Sequence, residues 1–290
     1  VDEIGRSADR PQVKTRGGSP ATYDLLAVAV GINSSILKQF HELNPAYQSP
    51  HTTQTFIREY YLGGETIEKY LGSSMQVFLL NIPGLEFAAI IPKGDYVTMC
   101  LLGHAIDGDL FQSFLNSPQV KRCMPPDWQP DQHACQCSPR MNIRGAAHPF
   151  GDRLVFIGDC GVTRLYKDGI GGAYRTAKAA ATTAIFRGVS AQDFRQNYWR
   201  TCRAIETDNS IGRVVFGVTE QIQKWRFARR AILRMTAGEQ TRPDGALRRL
   251  SMVLWDMFTG SAPYADIFLR TLNPAFLARL LWELARSLWP

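Results

Sequence analysis

Residues 153–181, RLVFIGDCGVTRLYKDGIGGAYRTAKAAA, constrain the fold most. Leu154, Val155, Phe156 and Ile157 form a short apolar run, the pattern of a strand buried on both faces. Gly158 and Asp159 stop it. The following turn ends in Asp168-Gly169-Ile170-Gly171-Gly172, and an alanine-rich helix is predicted from Ala173 to about Phe186. Glycines let a backbone approach a ligand closely, and a helix start offers free N–H groups and a positive dipole end. An acidic residue at the carboxyl end of a parallel strand can accept hydrogen bonds from a ribose hydroxyl, and Asp159 stands where such a residue would. The stretch therefore suits a phosphorylated cofactor. By pattern alone, a plain strand-to-helix turn with a glycine-rich link explains it as well.

The same residues carry a resemblance. Gly158-Asp159, followed ten residues later by Gly169-x-Gly171-Gly172 and an alanine helix, resembles the second flavin-binding motif of the glutathione-reductase-type FAD proteins. Within them, RLYKDGIGGAYRTAKAAA is most similar to the geranylgeranyl-reductase-like flavoprotein dehydrogenases. The resemblance implies FAD as cofactor, with NAD(P)H a candidate electron donor. It puts Asp159 at the ribityl or ribose side, and Gly169, Ile170, Gly171 and Gly172 at the pyrophosphate and flavin edge; Gly158 and Asp168 beside them are further candidate cofactor residues.

A second resemblance lies upstream. Residues 23–30, YDLLAVAV, read as a buried strand ended by Gly31, with a short helix over 35–43. FAD proteins of this superfamily have a strand ending in Gly-x-x-Ser, and Gly31 and Ser34 match it. Hydroxylase relatives carry an aspartate where this chain has Val30, a departure that fits the reductase branch better. Gly31 joins the candidate cofactor residues. A buried strand with a glycine stop is the alternative.

No G-x-G-x-x-G opens the chain, although a dinucleotide-binding Rossmann half would need one. The expectation is a carboxyl-terminal portion whose adenosine-binding half belongs to the same gene or to a partner chain. Strands 23–30 and 153–157 would then lack neighbours. Leu25, Val28, Val30, Val155 and Ile157 would be partly exposed, and the chain poorly soluble or oligomeric.

The other segments fill in an α/β (α+β) architecture. Residues 1–20 read as a hairpin. Runs 56–62, 75–80, 85–91 and 96–102 read as antiparallel sheet, punctuated by Gly63-Gly64, Pro83-Gly84 and Pro92-Lys93-Gly94-Asp95. Geranylgeranyl reductases carry Tyr-x-Trp-x-Phe-Pro-Lys in this region. The matching residues here are Phe87, Ala89, Ile91, Pro92 and Lys93, which implies an apolar but differently shaped substrate surface. A hairpin turn beside core residues is the alternative. Helices are predicted over 109–123, 221–235 and 246–258. Ser190 and Asp193 read as a capping box, followed by an apolar stripe of Phe194, Tyr198, Cys202 and Ile205. Residues 1–55 and 150–189 are assigned to the remaining FAD-binding domain, 56–149 to an antiparallel substrate domain, and 190–290 to a helical region.

At 290 residues with 45% hydrophobic and 20% charged residues, the chain can bury a sizeable core. Its net charge of +7 suits an anionic cofactor or membrane surface. No basic, aromatic-interleaved patch points to nucleic acid, so none is expected as a partner. His133-x-Cys135-x-Cys137 lacks the second ligand pair of a zinc site, and His41, His51, His104 and His148 are isolated, so no metal is expected. The two cysteines read as strand residues beside the core or as offering a redox-active thiol near a flavin. Six scattered cysteines without a signal-peptide pattern suggest free thiols and a cytoplasmic protein.

Residues 276–289 place Leu277, Leu280, Leu281, Leu284 and Leu288 on one helix face and Arg279, Glu283 and Arg286 on the other. That apolar face is expected to pack on the body of the protein or on a partner. Trp282, Trp289 and the nearby arginines also suit a peripheral membrane contact. The function read from all this is an FAD-dependent reductase or dehydrogenase acting on an apolar, isoprenoid- or lipid-like substrate. No catalytic acid or base is assigned; Tyr166 and Lys167 lie nearest the glycine turn. Alternatives are a flavin monooxygenase or halogenase of the same fold, or a non-catalytic subunit that binds a partner or membrane.

Overall fold

The computed structural model describes residues 1–103, 105–131, 133–243 and 247–288. His104, Gly245, Ala246 at the start of one predicted helix, and Trp289 lie outside them. The architecture is mixed α/β, with antiparallel sheets and a helical carboxyl-terminal part. The chain divides into two compact units. The first comprises Val1–Thr52, Met141–Val215 and Met252–Leu272, and the second Thr53–Arg140, Phe216–Ser251 and Asn273–Pro290. The helices of 190–290, assigned from sequence to one region, are thus distributed over both.

The first unit is built on a small sheet in the order 150–151, 154–156, 26–28. Leu154–Phe156 pairs in parallel with Leu26–Val28, Leu154 opposite Leu26 and Phe156 opposite Val28. All three residues of the central strand are buried, as the uninterrupted apolar run requires. Leu154 and Phe156 join Val28, Leu37, Phe40 and Tyr47 on one face. Val155 joins Phe150, Ala180, Phe194, Tyr198 and Cys202 on the other. Tyr47 stacks on Phe156 with ring centroids 3.8 Å apart, and its hydroxyl donates to the Cys160 carbonyl at 2.7 Å. Burial pushes that phenol up to about 12. The apolar faces expected to be partly exposed are largely covered. Val28 and Val155 are buried, Leu25 and Ile157 half-buried, and only Val30 is exposed. The two strands supply each other's neighbour, which the sequence pattern left unassigned.

The amino-terminal hairpin forms as expected, Glu3–Ser7 with Arg10–Lys14. Ser190 caps Ala191–Gln196 in a full capping box, and the predicted Phe194–Ile205 stripe is buried.

In the second unit His51–Tyr61, Tyr96–Gly103, Leu85–Lys93 and Gln76–Phe78 form neighbouring antiparallel strands, in that order, and Gln136–Cys137 also pairs with the first. One face, with Tyr60, Ala88, Ile90, Val97, Met99 and Leu101, packs on Phe111, Phe114 and Val120. The helix predicted over 109–123 is two helices, Gly108–Leu115 and Pro118–Lys121. Pro118 forces Ser117 out of the helical region (ψ 138°) and restarts the helix at its first position. The helix predicted over 221–235 is likewise divided, into Tyr198–Lys224 and Arg226–Gln240, with Trp225 extended between them. The Arg229 guanidinium donates to the Gln223 carbonyl, satisfying an acceptor at the break.

Replacing Tyr47 by Phe keeps the stack and removes the buried donor. We expect a loss of about 1–3 kcal/mol in unfolding free energy, measured by denaturant titration, because the Cys160 carbonyl is left unsatisfied.

Candidate functional site

Three backbone segments of the first unit meet beyond the carboxyl ends of the two parallel strands. The Leu26–Val28 strand runs into Val30 and Gly31, and the Leu154–Phe156 strand runs into Gly158, Asp159 and Cys160. The Cys160 thiol donates to the Val28 carbonyl at 3.2 Å and lies against the backbone of Val30 and Gly31, which ties the two turns together. The third segment is the start of helix Gly169–Phe186. The Gly158 N–H donates to Thr176 Oγ1 at 3.0 Å, and Thr176 in turn donates to the Gly172 carbonyl. Gly158, at φ +66°, abuts Ala173, whose methyl would stand 3.3 Å from a Cβ there. This is the contact for which the helix needs small residues.

The predicted cofactor residues separate into two groups. Asp159 is exposed, and its carboxylate lies 3.6 Å from where a Cβ on Gly169 would stand. Ile170 is 90% exposed, and Gly31 (φ +72°) has open space where a side chain would begin. Gly31, Asp159, Gly169 and Ile170 thus combine accessible backbone with one free-standing carboxylate. Gly158, buried with its N–H given to Thr176, serves the protein itself, as do Asp168, Gly171 and Gly172. Asp168 caps the helix in the left-handed region (φ +58°), accepting from Gly171 N–H and pairing with Arg175 at 3.0 Å. A Cβ on Gly171 would strike the Asp168 carboxylate at 2.2 Å, and one on Gly172 would meet Thr163 at 3.0 Å. Their smallness is explained by the cap and by Thr163. The first helical turn leaves the amides of Gly169 and Ile170 without helical acceptors.

The loop before that helix is held by residues the sequence did not reveal. Tyr166 and Asp168 both adopt positive φ, a costly conformation for a tyrosine. The surroundings fix it. Tyr166 N–H donates to the Asn142 carbonyl, and Asn142 Nδ2 donates to Asp159 O and Thr163 Oγ1, both at 2.9 Å. Asn209 Nδ2 donates to Thr163 O, and its Oδ1 accepts from Leu165 N–H, again at 2.9 Å. Tyr264 donates to the Leu165 carbonyl at 2.7 Å, and its ring lies under the Arg164 guanidinium. Arg164 donates to Gly260 O and Ala262 O. Gly212 makes room for Tyr264, whose ring would be 2.6 Å from a Cβ there. None of these partners is near the motif in sequence, and no local pattern marks them.

Lys167 is half-buried in this loop, with its ammonium 5.8 Å from the Phe258 ring centre. Burial pulls its pKa down to about 7, and Arg164 adds to the effect.

The predicted substrate residues lie in the second unit. Phe87, Ala89 and Ile91 share the sheet face opposite the main core, alongside Leu102, Cys100 and Thr98 on the adjacent strand. Pro92 has the opposite parity and, with Lys93, belongs to the strand; the turn itself is Gly94-Asp95. Lys93 pairs with Glu59 at 3.3 Å. Cys137 and Cys100 both lie opposite Ile57, on the two strands flanking it, and Cys135 is exposed. Among the described residues no group of three or more His, Cys, Asp or Glu side chains could hold a metal ion.

No protein-family model matches the chain, and no curated protein matches it in sequence. Solved structures do. The halogenase PltM, crystallised with phloroglucinol and FAD, aligns over 99% of this chain and 63% of its own, with a TM-score of 0.54 at 12% identity. The peptidyl tryptophan dihydroxylase QhpG aligns over 77% of this chain and 51% of its own, with a TM-score of 0.53 at 15% identity. The chain thus shares the fold of an FAD-binding halogenase and spans under two thirds of its length.

Two outcomes follow from this network. Asn209→Ala removes two buried hydrogen bonds and should cost about 2–4 kcal/mol of stability, read by chemical unfolding. Lys167→Met should raise the melting temperature at pH 7. The folded-state pKa lies below the unfolded value, so the native chain binds fewer protons between about pH 7 and pH 10 and loses stability as pH falls through that window. The melting-temperature gain of the Met variant should therefore shrink towards zero above roughly pH 10.

Proposed function

We propose that this chain forms part of an FAD-dependent oxidoreductase acting on an apolar substrate. One observation carries the reading. Gly31, Asp159 and the Gly169-Ile170 helix start converge beyond the carboxyl ends of adjacent parallel strands, the place where open α/β sheets bind nucleotides. The chain also shares its fold with a halogenase crystallised with FAD.

The donor set fits such a group. The Asp159 carboxylate accepts hydrogen bonds from hydroxyls of a ribityl or ribose chain. The Gly169 and Ile170 amides donate to phosphate oxygens, aided by the positive end of an 18-residue helix. Gly31 lets backbone approach the ligand without a side chain intervening. The Asn142–Asn209–Tyr264 network holds these groups still, so that little ordering is required on binding. FAD would supply the hydride or electron transfer; the protein supplies binding and orientation. The half-buried Phe87 and Ile91, with the fully buried Ala89 between them, form the apolar patch assigned to a substrate of isoprenoid or lipid type, the geranylgeranyl-reductase-like reading, with NAD(P)H as electron donor.

A second reading is an oxygen-using flavin enzyme, a monooxygenase or halogenase. The likeness to PltM and QhpG favours it at the level of fold, whereas Val30 in place of the hydroxylase aspartate favours the reductase. Substrate-dependent oxygen consumption with an oxygen atom or halogen appearing in the product selects the second reading. NAD(P)H-driven saturation of a carbon–carbon double bond selects the first.

The common claim is tested on the flavin. Purified holoprotein should be yellow. Asp159→Ala should weaken FAD binding roughly 10- to 100-fold by fluorescence titration, the loss of about 1.5–3 kcal/mol expected for a hydrogen bond to a charged group. A protein that stays colourless with added FAD overturns the proposal.

A further inference from the structure

The helix Pro274–Leu288 packs on Arg226–Gln240 through a face that is half polar and half apolar. Phe276 and Ser287 are buried, while Arg279, Leu280, Glu283 and Leu284 are half-buried. Arg234 contacts Ser287 at 3.3 Å, and Arg279 reaches to Gly238, so the two helices run antiparallel. The exposed residues of Pro274–Leu288 include Leu277, Leu281, Trp282 and Leu288, and Arg286 is the one charged residue among those exposed. Leu281, Trp282 and Leu288 are each about two thirds exposed, at 65%, 67% and 64%. Of the five leucines expected to pack, Leu280 and Leu284 are half-buried, and Leu277, Leu281 and Leu288 are exposed.

Exposed arginines accompany this strip: Arg286 on the same helix, and Arg226 and Arg234 on its partner. The helix pair carries Arg226, Arg229, Arg230, Arg234, Arg279 and Arg286 against two glutamates. Glu239 is buried and committed internally, accepting from the Leu250 and Ser251 amides at 3.1 and 2.8 Å. A second copy of the chain would set these arginines against their own counterparts. An anionic lipid surface would neutralise them while the leucines and Trp282 enter the headgroup boundary. No described helix is long and apolar enough to cross a membrane, so contact through this face would lie in the interfacial plane.

We propose that the outward face of Pro274–Leu288, with the arginines of the helix pair, docks the protein on anionic membranes. The inference does not depend on the flavin reading.

Co-sedimentation of the full chain with phosphatidylcholine vesicles, with and without phosphatidylglycerol, tests it. Binding should require phosphatidylglycerol and weaken with added salt. The double variant Leu281→Ser, Trp282→Ser should bind roughly tenfold more weakly, its circular dichroism and melting temperature unchanged because both side chains are exposed. Arg226→Gln with Arg286→Gln should weaken binding to the anionic vesicles alone. Absence of binding to either vesicle, or equal binding to both, overturns the proposal. So does a stable dimer by light scattering that the Leu281→Ser, Trp282→Ser variant converts to monomer, since the face would then be covered by a second copy.

Discussion

The first unit depends on the burial of Leu154, Val155 and Phe156 from both sides. Alternate residues of one short strand enter different cores: Leu154 and Phe156 meet Phe40 and Tyr47, and Val155 meets Phe194 and Tyr198. The parallel pairing to Leu26–Val28 fixes where both strands end. The turns at Gly31 and Gly158 are adjacent for that reason, and the Cys160 thiol hydrogen-bonded to Val28 O closes the junction between them. A break in this strand would remove both cores' shared wall and the platform of the site together.

On that platform the glycine cluster has two jobs. Gly171 and Gly172 let the helix cap itself with Asp168 and pack on Thr163. Gly169 and Ile170 open the helix with amides that lack helical acceptors; Gly169 lies beside the Asp159 carboxylate and Ile170 is exposed. Positive φ at Tyr166 and Asp168 costs on the order of 1–2 kcal/mol each and persists because Asn142, Asn209 and Tyr264 hydrogen-bond the loop from both sides. The strain sits where the chain must turn sharply enough to aim the helix start at the strand ends.

The carboxyl-terminal helices show how tertiary context divides an amphipathic stripe. The apolar stripe of Pro274–Leu288 would ordinarily face a core. Here Arg279 and Ser287 share the side facing Arg226–Gln240 with Phe276, Leu280 and Leu284, and Leu277, Leu281 and Leu288 are left outside.

The sequence by itself determined the elements whose signals are local. The hairpin at the amino terminus, the four main strands of the second sheet, the capping box at Ser190 and the strand–turn–helix at residues 153–186 follow from alternation, glycine placement and caps, which act over a few residues. It also brought Gly31, Asp159, Gly169 and Ile170 forward as candidates, and these lie together. Tertiary structure decided what depends on partners distant in the chain. It paired strands 26–28 and 154–156 and covered Val28 and Val155. It placed Asn142, Asn209 and Tyr264 around the loop, and gave Gly171 and Gly172 an internal rather than a ligand-facing reason to be small. It also chose which face of the last helix turned inward. Periodicity reports that a helix has an apolar side, but only the surfaces available elsewhere in the fold determine what that side meets.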